Sequence, residues 1–241
     1  MLILGIDTAT VAASAALVED GAIVRDSAGG RSNGNGVLRG NHAATLLPLI
    51  DDLLRAVGRG LSDVGAFAVA LGPGSFTGLR IGLSTVKGLV YGSAAPIVGI
   101  PTLYALAARV DDFDGFICPF LDARKKEVYA ALFHKVGNNL RRASEDVVAR
   151  PEAVIASVKQ RIGSDRCLFI GDAVLAYDDA VKTALGANGL STLGEGYRST
   201  AAAAARLAED RVRRGDFDAA GPLAPIYLRP SEAELKKKQQ M

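Results

Sequence analysis

The sequence is short of the side chains from which most metal and nucleophile sites are built. Of 241 residues, two are histidine, His42 and His134, and they form neither His-x-x-x-His nor His-Glu-x-x-His. That excludes a helix-borne zinc or iron site, and with it a metallopeptidase. No Gly-x-Ser-x-Gly elbow is present to expose a nucleophilic serine. The two cysteines, Cys118 and Cys167, lie in apolar runs without a second pair, which excludes a disulfide or zinc framework and predicts small core residues in a reducing compartment. No stretch of about 18 apolar residues is available to span a bilayer, and the amino terminus lacks a basic flank and cleavage site. The expectation is a soluble cytoplasmic protein without membrane contact. Nor is there a cationic excess: 28 Lys plus Arg stand against 26 Asp plus Glu, a net charge of +2. Tight, sequence-blind binding to a phosphate backbone needs more, so any nucleic-acid contact is local or shared with other chains.

What the chain does have is core. With 49% hydrophobic residues it can fill one domain or two small lobes. Residues 1–108 carry 7 basic and 7 acidic side chains, which leaves 21 and 19 to the remainder, so the first part has little charged surface.

Leu2 to Ile6 is an unbroken apolar run ending at Asp7, the pattern of a strand covered on both faces. Val11 to Val18 reads as a second strand, and Asp20-Gly21 as a tight turn returning Ala22 to Arg25. The Gly-, Ser- and Asn-rich segment 28–40 is a connection. A helix from His42 to Val57 follows, with Leu46, Leu47, Ile50, Leu53 and Leu54 at three- and four-residue steps, and Pro48 inside it predicts a kink or a late start. Ala66 to Leu71 is the next strand. Gly72-Pro73-Gly74-Ser75-Phe76-Thr77-Gly78 then turns the chain into a helix reaching about Val90, and Ile97 to Ile100 precedes a helix opening at Pro101.

The order then restarts. Phe116 to Leu121 ends at Asp122, Glu127 to Phe133 reads as one strand, and Leu140 to Ala149 returns after the Gly137-Asn138-Asn139 turn. A helix over 152–161 opens at Pro151, and a strand at 168–171, a helix to about Leu185 and an alanine-rich helix from Thr200 to Arg213 complete the repeat. The simplest description is an α/β protein of two related lobes, each a mixed sheet flanked by helices. The lobes are set at 1–108 and 109–220, the last helix free to pack back on the first, with a tail over 221–241 that ends in Lys236, Lys237 and Lys238.

Two strand-ending aspartates, Asp7 and Asp122, are a pattern that magnesium-assisted phosphoryl transfer would use; Asp at a strand end equally serves as a turn former. Thr8 and Thr10 can bind phosphate or stabilise the turn after Asp7. The string Gly72–Gly78 leads into a helix amino terminus, where backbone N–H groups can hold an anion. It matches no familiar phosphate loop: Gly78-Leu79-Arg80 stands where the Walker pattern needs Gly-Lys-Ser/Thr, and Thr77 where the dinucleotide pattern needs its third glycine. Arg124 and Glu127 read either as a substrate clamp or as a solvated ion pair. The helix after the glycine string is apolar on most sides. Leu79, Leu83, Val86 and Val90 make one stripe, and Gly78, Gly82, Thr85 and Leu89 a second, leaving Arg80, Ser84 and Lys87 as its polar arc. The second stripe needs another helix, either His42–Val57 or one from a second chain.

Several of these motifs together resemble the TsaB (YeaZ) family. They are Ile6-Asp7-Thr8, His42 with Leu46-Leu47-Pro48, the string Gly72–Gly82, Lys87-Gly88-Leu89, Asp122-Ala123-Arg124 with Glu127-Val128-Tyr129, and Pro225-Ile226-Tyr227-Leu228-Arg229. The resemblance implies an actin-like, ribonuclease-H-like two-lobed fold. It also implies a non-catalytic partner in forming threonylcarbamoyladenosine beside the anticodon of tRNA, with no cofactor, no metal and no catalytic residue of its own. The implied partners are a TsaD-like catalytic subunit, a TsaE-like ATPase, tRNA indirectly through the complex, and a second copy when the chain is isolated. Pairing would use the two helices of the first lobe, through Leu46, Leu47, Ile50, Leu54, Gly78, Leu79, Gly82, Leu83 and Val86, so that a charge at Leu83 would break pairing and spare the fold. Asp7, Thr8, Gly72, Gly74, Ser75, Thr77, Asp122, Arg124 and Glu127 would be the remnant of a phosphate site. The catalytic relative has His-x-x-x-His after its Ile-Pro, where this chain continues Ile100-Pro101 with Thr102 to Ala108. Its later loops are glycine-rich where Asp122-Ala123-Arg124 and Gly171-Asp172-Ala173 stand here. The rival reading is a small ATP- and magnesium-dependent phosphotransferase of the actin-like superfamily using Asp7 and Asp122.

Overall fold

A computed structural model describes residues 1–10, 13–27, 42–93, 95–193, 197 and 199–229. They fall into two compact units, the first built from Met1–Phe113 and Gly194–Pro225, the second from Asp114–Leu193 and Ile226–Met241. Among the described residues no helix is long and apolar enough to cross a membrane.

The first unit contains β1 (Leu2–Asp7), β2 (Ser14–Glu19), β3 (Ala22–Asp26), α1 (His42–Ala56), β4 (Val64–Gly72), α2 (Phe76–Leu89), β5 (Ile97–Pro101) and α3 (Thr102–Ala108). The sheet order is β3-β2-β1-β4-β5, antiparallel from β3 to β1 and parallel from β1 to β5. Because side chains alternate along a strand, Leu2, Leu4 and Ile6 of β1 join Phe67 and Val69 of β4 under α1 and α2, and Ile3 joins Ala66 and Ala68 on the other face. Both faces are covered, which is why β1 and β4 read as unbroken apolar runs.

The second unit contains β6 (Gly115–Arg124), β7 (Glu127–Ala130), β8 (Phe133–Val136), β9 (Asn139–Arg142), β10 (Val147–Ala149), α4 (Pro151–Ile162), β11 (Cys167–Ile170), α5 (Val174–Leu185) and β12 (Gly189–Thr192). Its main sheet runs β10-β7-β6-β11-β12 with the same pattern of antiparallel and parallel pairs. The chain thus writes one ribonuclease-H-like topology twice, the actin-like arrangement, with Asp7 and Asp122 near the ends of corresponding strands. Cys118 and Cys167 are buried in this unit's core, where burial pushes both thiols up and keeps them protonated.

The helix α6 (Thr200–Arg213) belongs to the first unit, where it packs on β1, β2 and β4 beside α3. Its alanines are the reason it fits. Ala201, Ala202, Ala204, Ala205 and Ala208 are buried, and the helix lies so close to β1 that a Cβ on Gly5 would collide with the Ala201 carbonyl.

Three sequence expectations change. The run Glu127–Phe133 is two strands, because the long β6 pairs with β7 through its second half and with β8 through its first. The return expected over 140–149 is likewise split into β9 and β10. The jog between β7 and β8 is held by Leu132, whose N–H donates to Ser144 Oγ at 2.8 Å and whose carbonyl accepts from Ala143 N at 2.7 Å. The helix α1 has no late start: Pro48 sits in its second turn, exposed, where the lost backbone donor faces solvent. The expectations for 28–40 and for the lysines at 236–238 lie outside the described residues.

Candidate functional site

In the first unit the turn after β1 and the glycine string are stitched to each other. The Asp7 carboxylate is 1% exposed, and its Oδ1 accepts from Ala9 N at 2.8 Å. Burial pushes its pKa up, against the pull of that N–H, of Arg109 and of a Thr200 hydrogen bond. The Thr8 hydroxyl donates to the Gly78 carbonyl at 2.7 Å, and Ser75 N donates to the Ala9 carbonyl at 2.7 Å. Ser75 also caps α2, its Oγ accepting from Gly78 N at 3.2 Å, and Gly72 N donates to Thr102 Oγ1 at 3.0 Å.

The glycines serve this contact. A Cβ on Gly74 would press on the Ala9 carbonyl, one on Gly78 on the Thr8 carbonyl, and one on Gly82 on the Thr8 hydroxyl. Their four-residue spacing lets the start of α2 lie against the β1 turn. Of the groups that would meet a phosphate, the Thr8 hydroxyl and Gly78 N–H already have protein partners. The carboxylate at this turn is that of Asp7, buried and engaged by its own backbone. Among the described residues no three His, Cys, Asp or Glu side chains are grouped to hold a metal ion.

In the second unit Asp122, Arg124 and Glu127 gather at the β6–β7 hairpin. The Asp122 carboxylate accepts from Arg124 N at 2.8 Å and from Arg124 Nη1 at 3.1 Å. Glu127 Oε2 accepts from Arg229 Nη1 at 2.8 Å, and Arg229 Nη2 donates to the Ala123 carbonyl. The Arg124–Glu127 ion pair that their spacing suggested as one reading is not formed: the Arg124 guanidinium lies on Asp122 and the Glu127 carboxylate on Arg229. Asp122 N donates to Asp172 Oδ1 at 2.9 Å, and burial pushes Asp172 up, opposed by that N–H, with the Asp122 charge adding to the rise. Sequence spacing gave no sign of Arg229, 102 positions from Glu127, nor of Thr102 beside Gly72, nor of Arg109 and Thr200 around Asp7. Such long-range pairings leave no local periodicity.

The residues expected to face a partner are placed differently. Leu46, Ile50 and Leu54 of α1 and Gly78, Leu79, Gly82, Leu83 and Val86 of α2 are buried within this chain. The second stripe of α2 that needed a cover is covered by the chain's own β1 turn, through Gly78 and Gly82. Only Leu47, 51% exposed, points outward from the expected set. What the two helices present instead is Ala43, Ala44, Leu47, Pro48, Asp51, Asp52 and Arg55 on α1, and Thr77, Arg80, Ser84 and Gly88 on α2. The Arg80 guanidinium lies 3.9 Å from the Phe76 ring centre, and Gly88 has open space where a Cβ would stand.

Comparison with known proteins agrees with this architecture. Residues 36–234 match the family model of TsaD, tRNA N6-adenosine threonylcarbamoyltransferase. The tRNA threonylcarbamoyladenosine biosynthesis protein TsaB of Bacillus subtilis is 30% identical over 238 residues, covering 98% of this chain and 97% of that protein. TsaB of Escherichia coli is 36% identical over 167 residues, 68% of each chain. The solved structure of YeaZ from Pseudomonas aeruginosa superposes with a TM-score of 0.73 at 26% identity, covering 94% of this chain and 99% of that one. With a nearly full-length TsaB relative at that identity, and the fold of YeaZ from end to end, the chain belongs to the TsaB (YeaZ) family.

Proposed function

We propose that this protein acts in the biosynthesis of threonylcarbamoyladenosine in tRNA as a non-catalytic subunit. It pairs with a TsaD-like catalytic subunit through the outer face of α1 and α2, and the pair in turn receives a TsaE-like ATPase. The role in threonylcarbamoyladenosine biosynthesis follows from family membership. The observation that carries the non-catalytic reading is the closed contact between the Asp7–Ala9 turn and the glycine string, in which the hydroxyl and amide that would meet a phosphate are bonded to the protein itself. The pairing face is supported by its composition. On α2 it consists of Thr77, Ser84 and Gly88 with half-buried Ile81 and Thr85, bordered by the charges of Arg80 and Lys87, and on neighbouring α1 exposed Leu47 and Pro48 lie beside Asp51, Asp52 and Arg55. Small side chains let another helix approach closely. Such a subunit works by differential binding: it favours the partner's competent conformation by as much as the interface prefers it. A second copy of the chain occupies the same face when the partner is absent.

The test is co-elution with the TsaD-like subunit on a sizing column. Gly88→Trp and Ser84→Arg project from the face without entering the core, so pairing should be lost while the melting temperature stays at the wild-type value. Retained pairing by both variants refutes the face. Titration calorimetry of the isolated chain with magnesium and ATP decides against the phosphotransferase reading when it gives no heat of binding.

A further inference from the structure

The outer side of α2 runs out onto an aromatic ring. Thr77, Arg80, Ser84 and Gly88 follow one another at three- and four-residue steps, and Tyr91 is the next step, in the turn that closes the helix. Among the described residues it is the most exposed of the large hydrophobic side chains, at 91% against 74% for Leu175. Tyrosines are ordinarily part-buried in folded proteins, because the ring gains by leaving water. Here the fold makes almost no use of it. The turn that carries the ring is nevertheless fixed. Tyr91 N donates to the Gly88 carbonyl at 3.2 Å, and Ser93 N and Oγ donate to the Val90 carbonyl at 2.9 Å and 3.0 Å. Gly92, between them, supplies the left-handed φ of 79° that ends the helix. One turn before the ring, Gly88 leaves open space where a Cβ would stand.

We infer that Tyr91 is the anchor of the pairing face, its ring entering an apolar pocket on the TsaD-like subunit. The inference rests on the pairing proposed above and goes beyond it, since that reading gave a face of small side chains and no group to carry the binding energy. Interfaces draw most of their affinity from a few large side chains, Tyr prominent among them, ringed by near-neutral contacts that exclude water. Thr77, Ser84 and Gly88 suit the second role and Tyr91 the first. With two side-chain torsions and a hydrogen-bonded turn beneath it, the ring loses little freedom on docking. The ring's occupant is a different chain, because a second copy would meet it with small side chains and with Asp51, Asp52 and Arg55 of α1 and Arg80 and Lys87 of α2. Self-pairing on the same face leaves the ring without a pocket.

The test titrates the labelled full-length protein with the TsaD-like subunit, followed by fluorescence anisotropy, for wild type, Tyr91→Phe, Tyr91→Ala and Leu175→Ala. Because the ring lies outside the core, Tyr91→Ala should melt with wild type. Its Kd for the subunit should rise roughly thirtyfold, the loss typical of an anchor, while Tyr91→Phe stays within about threefold of wild type. Leu175→Ala, which removes an exposed leucine from the second unit, should bind as wild type does. Self-association of Tyr91→Ala, read by sedimentation, should be unchanged. Tight binding of the subunit by Tyr91→Ala overturns the inference, as does an equal loss in Tyr91→Phe, which would assign the effect to the hydroxyl. Loss of self-association with the subunit still bound also overturns it, making a second copy the ring's occupant. The pairing reading fails separately: if wild type does not bind the subunit, the face itself is wrong, whereas loss of pairing in Gly88→Trp with none in Tyr91→Ala sinks the anchor alone.

Discussion

Leu83 and Ser84 are adjacent in sequence and opposite in environment, and substituting each in turn tests where the boundary between core and docking face runs. Leu83 is 5% exposed in the cluster that holds Leu4, Ile6, Leu46, Ile50 and Val69. Truncating a buried leucine removes its transfer free energy and leaves a cavity, together about 2–5 kcal/mol. In a chain of this length about 1 kcal/mol moves the melting temperature by roughly 2–4 °C, so Leu83→Ala should melt some ~5–15 °C below wild type. Leu83→Glu is harsher, because its carboxylate would enter a cluster without a donor; its cost of several kcal/mol approaches the whole stability of a typical domain, about 5–15 kcal/mol. Ser84 is exposed on the polar arc of the same helix, and Ser84→Glu should stay within about 0.5 kcal/mol of wild type. Circular dichroism melts give the stabilities and sizing with the TsaD-like subunit gives the pairing. The expected pattern is that Leu83→Glu fails to fold while Ser84→Glu folds and weakens pairing. Should Leu83→Ala melt with wild type, or Leu83→Glu fold and lose only its partner, the buried placement of this stripe is wrong.

Two further outcomes concern the Asp7 turn. Thr8→Val keeps the side-chain shape but removes the 2.7 Å bond to the Gly78 carbonyl, leaving that acceptor without its side-chain donor; stability should fall by about 1–3 kcal/mol in urea unfolding, with pairing retained, and an unchanged midpoint would refute the stitch. The raised pKa of buried Asp7 means that the folded state holds a proton more readily than the unfolded one, so its contribution is present at low pH and is lost as pH rises above the ordinary aspartate value through the folded one. Asp7→Asn removes this dependence; its stability relative to wild type should therefore climb over that window and then level off, and a difference independent of pH would contradict the sign.

The architecture was legible because two-sided burial leaves a sequence trace. Leu2–Ile6 and Ala66–Leu71 are apolar at every position, and no amphipathic helix reads that way. The restart at Phe116 was visible for the same reason, although the break between β7 and β8 was not, since Ala131 and Leu132 are as buried as the strands they separate. Side-chain direction on α1 and α2 was harder. Both helices are apolar over more than half their circumference, and periodicity alone cannot say which part of so wide a stripe meets the sheet and which meets a partner. The pattern put Leu46, Ile50, Leu54, Leu79, Leu83 and Val86 on an outward face, and the structure buries them within the chain. Pairings such as Glu127 with Arg229 depend on how the chain returns after α6, which no local window contains.

The glycine string shows why a motif's composition underdetermines its chemistry. A phosphate-binding loop needs glycine so that backbone N–H groups can approach an anion; here Gly74, Gly78 and Gly82 are needed because Thr8 and Ala9 already occupy that approach. Either demand selects the same small residue, so only the occupant distinguishes them. The occupant is the chain's own threonine, whose hydroxyl is spent on the Gly78 carbonyl. The contact holds the start of α2 against the turn after β1. If the pairing face proposed above is right, substitutions at Gly78 or Gly82 should weaken pairing by displacing α2, although neither glycine is exposed.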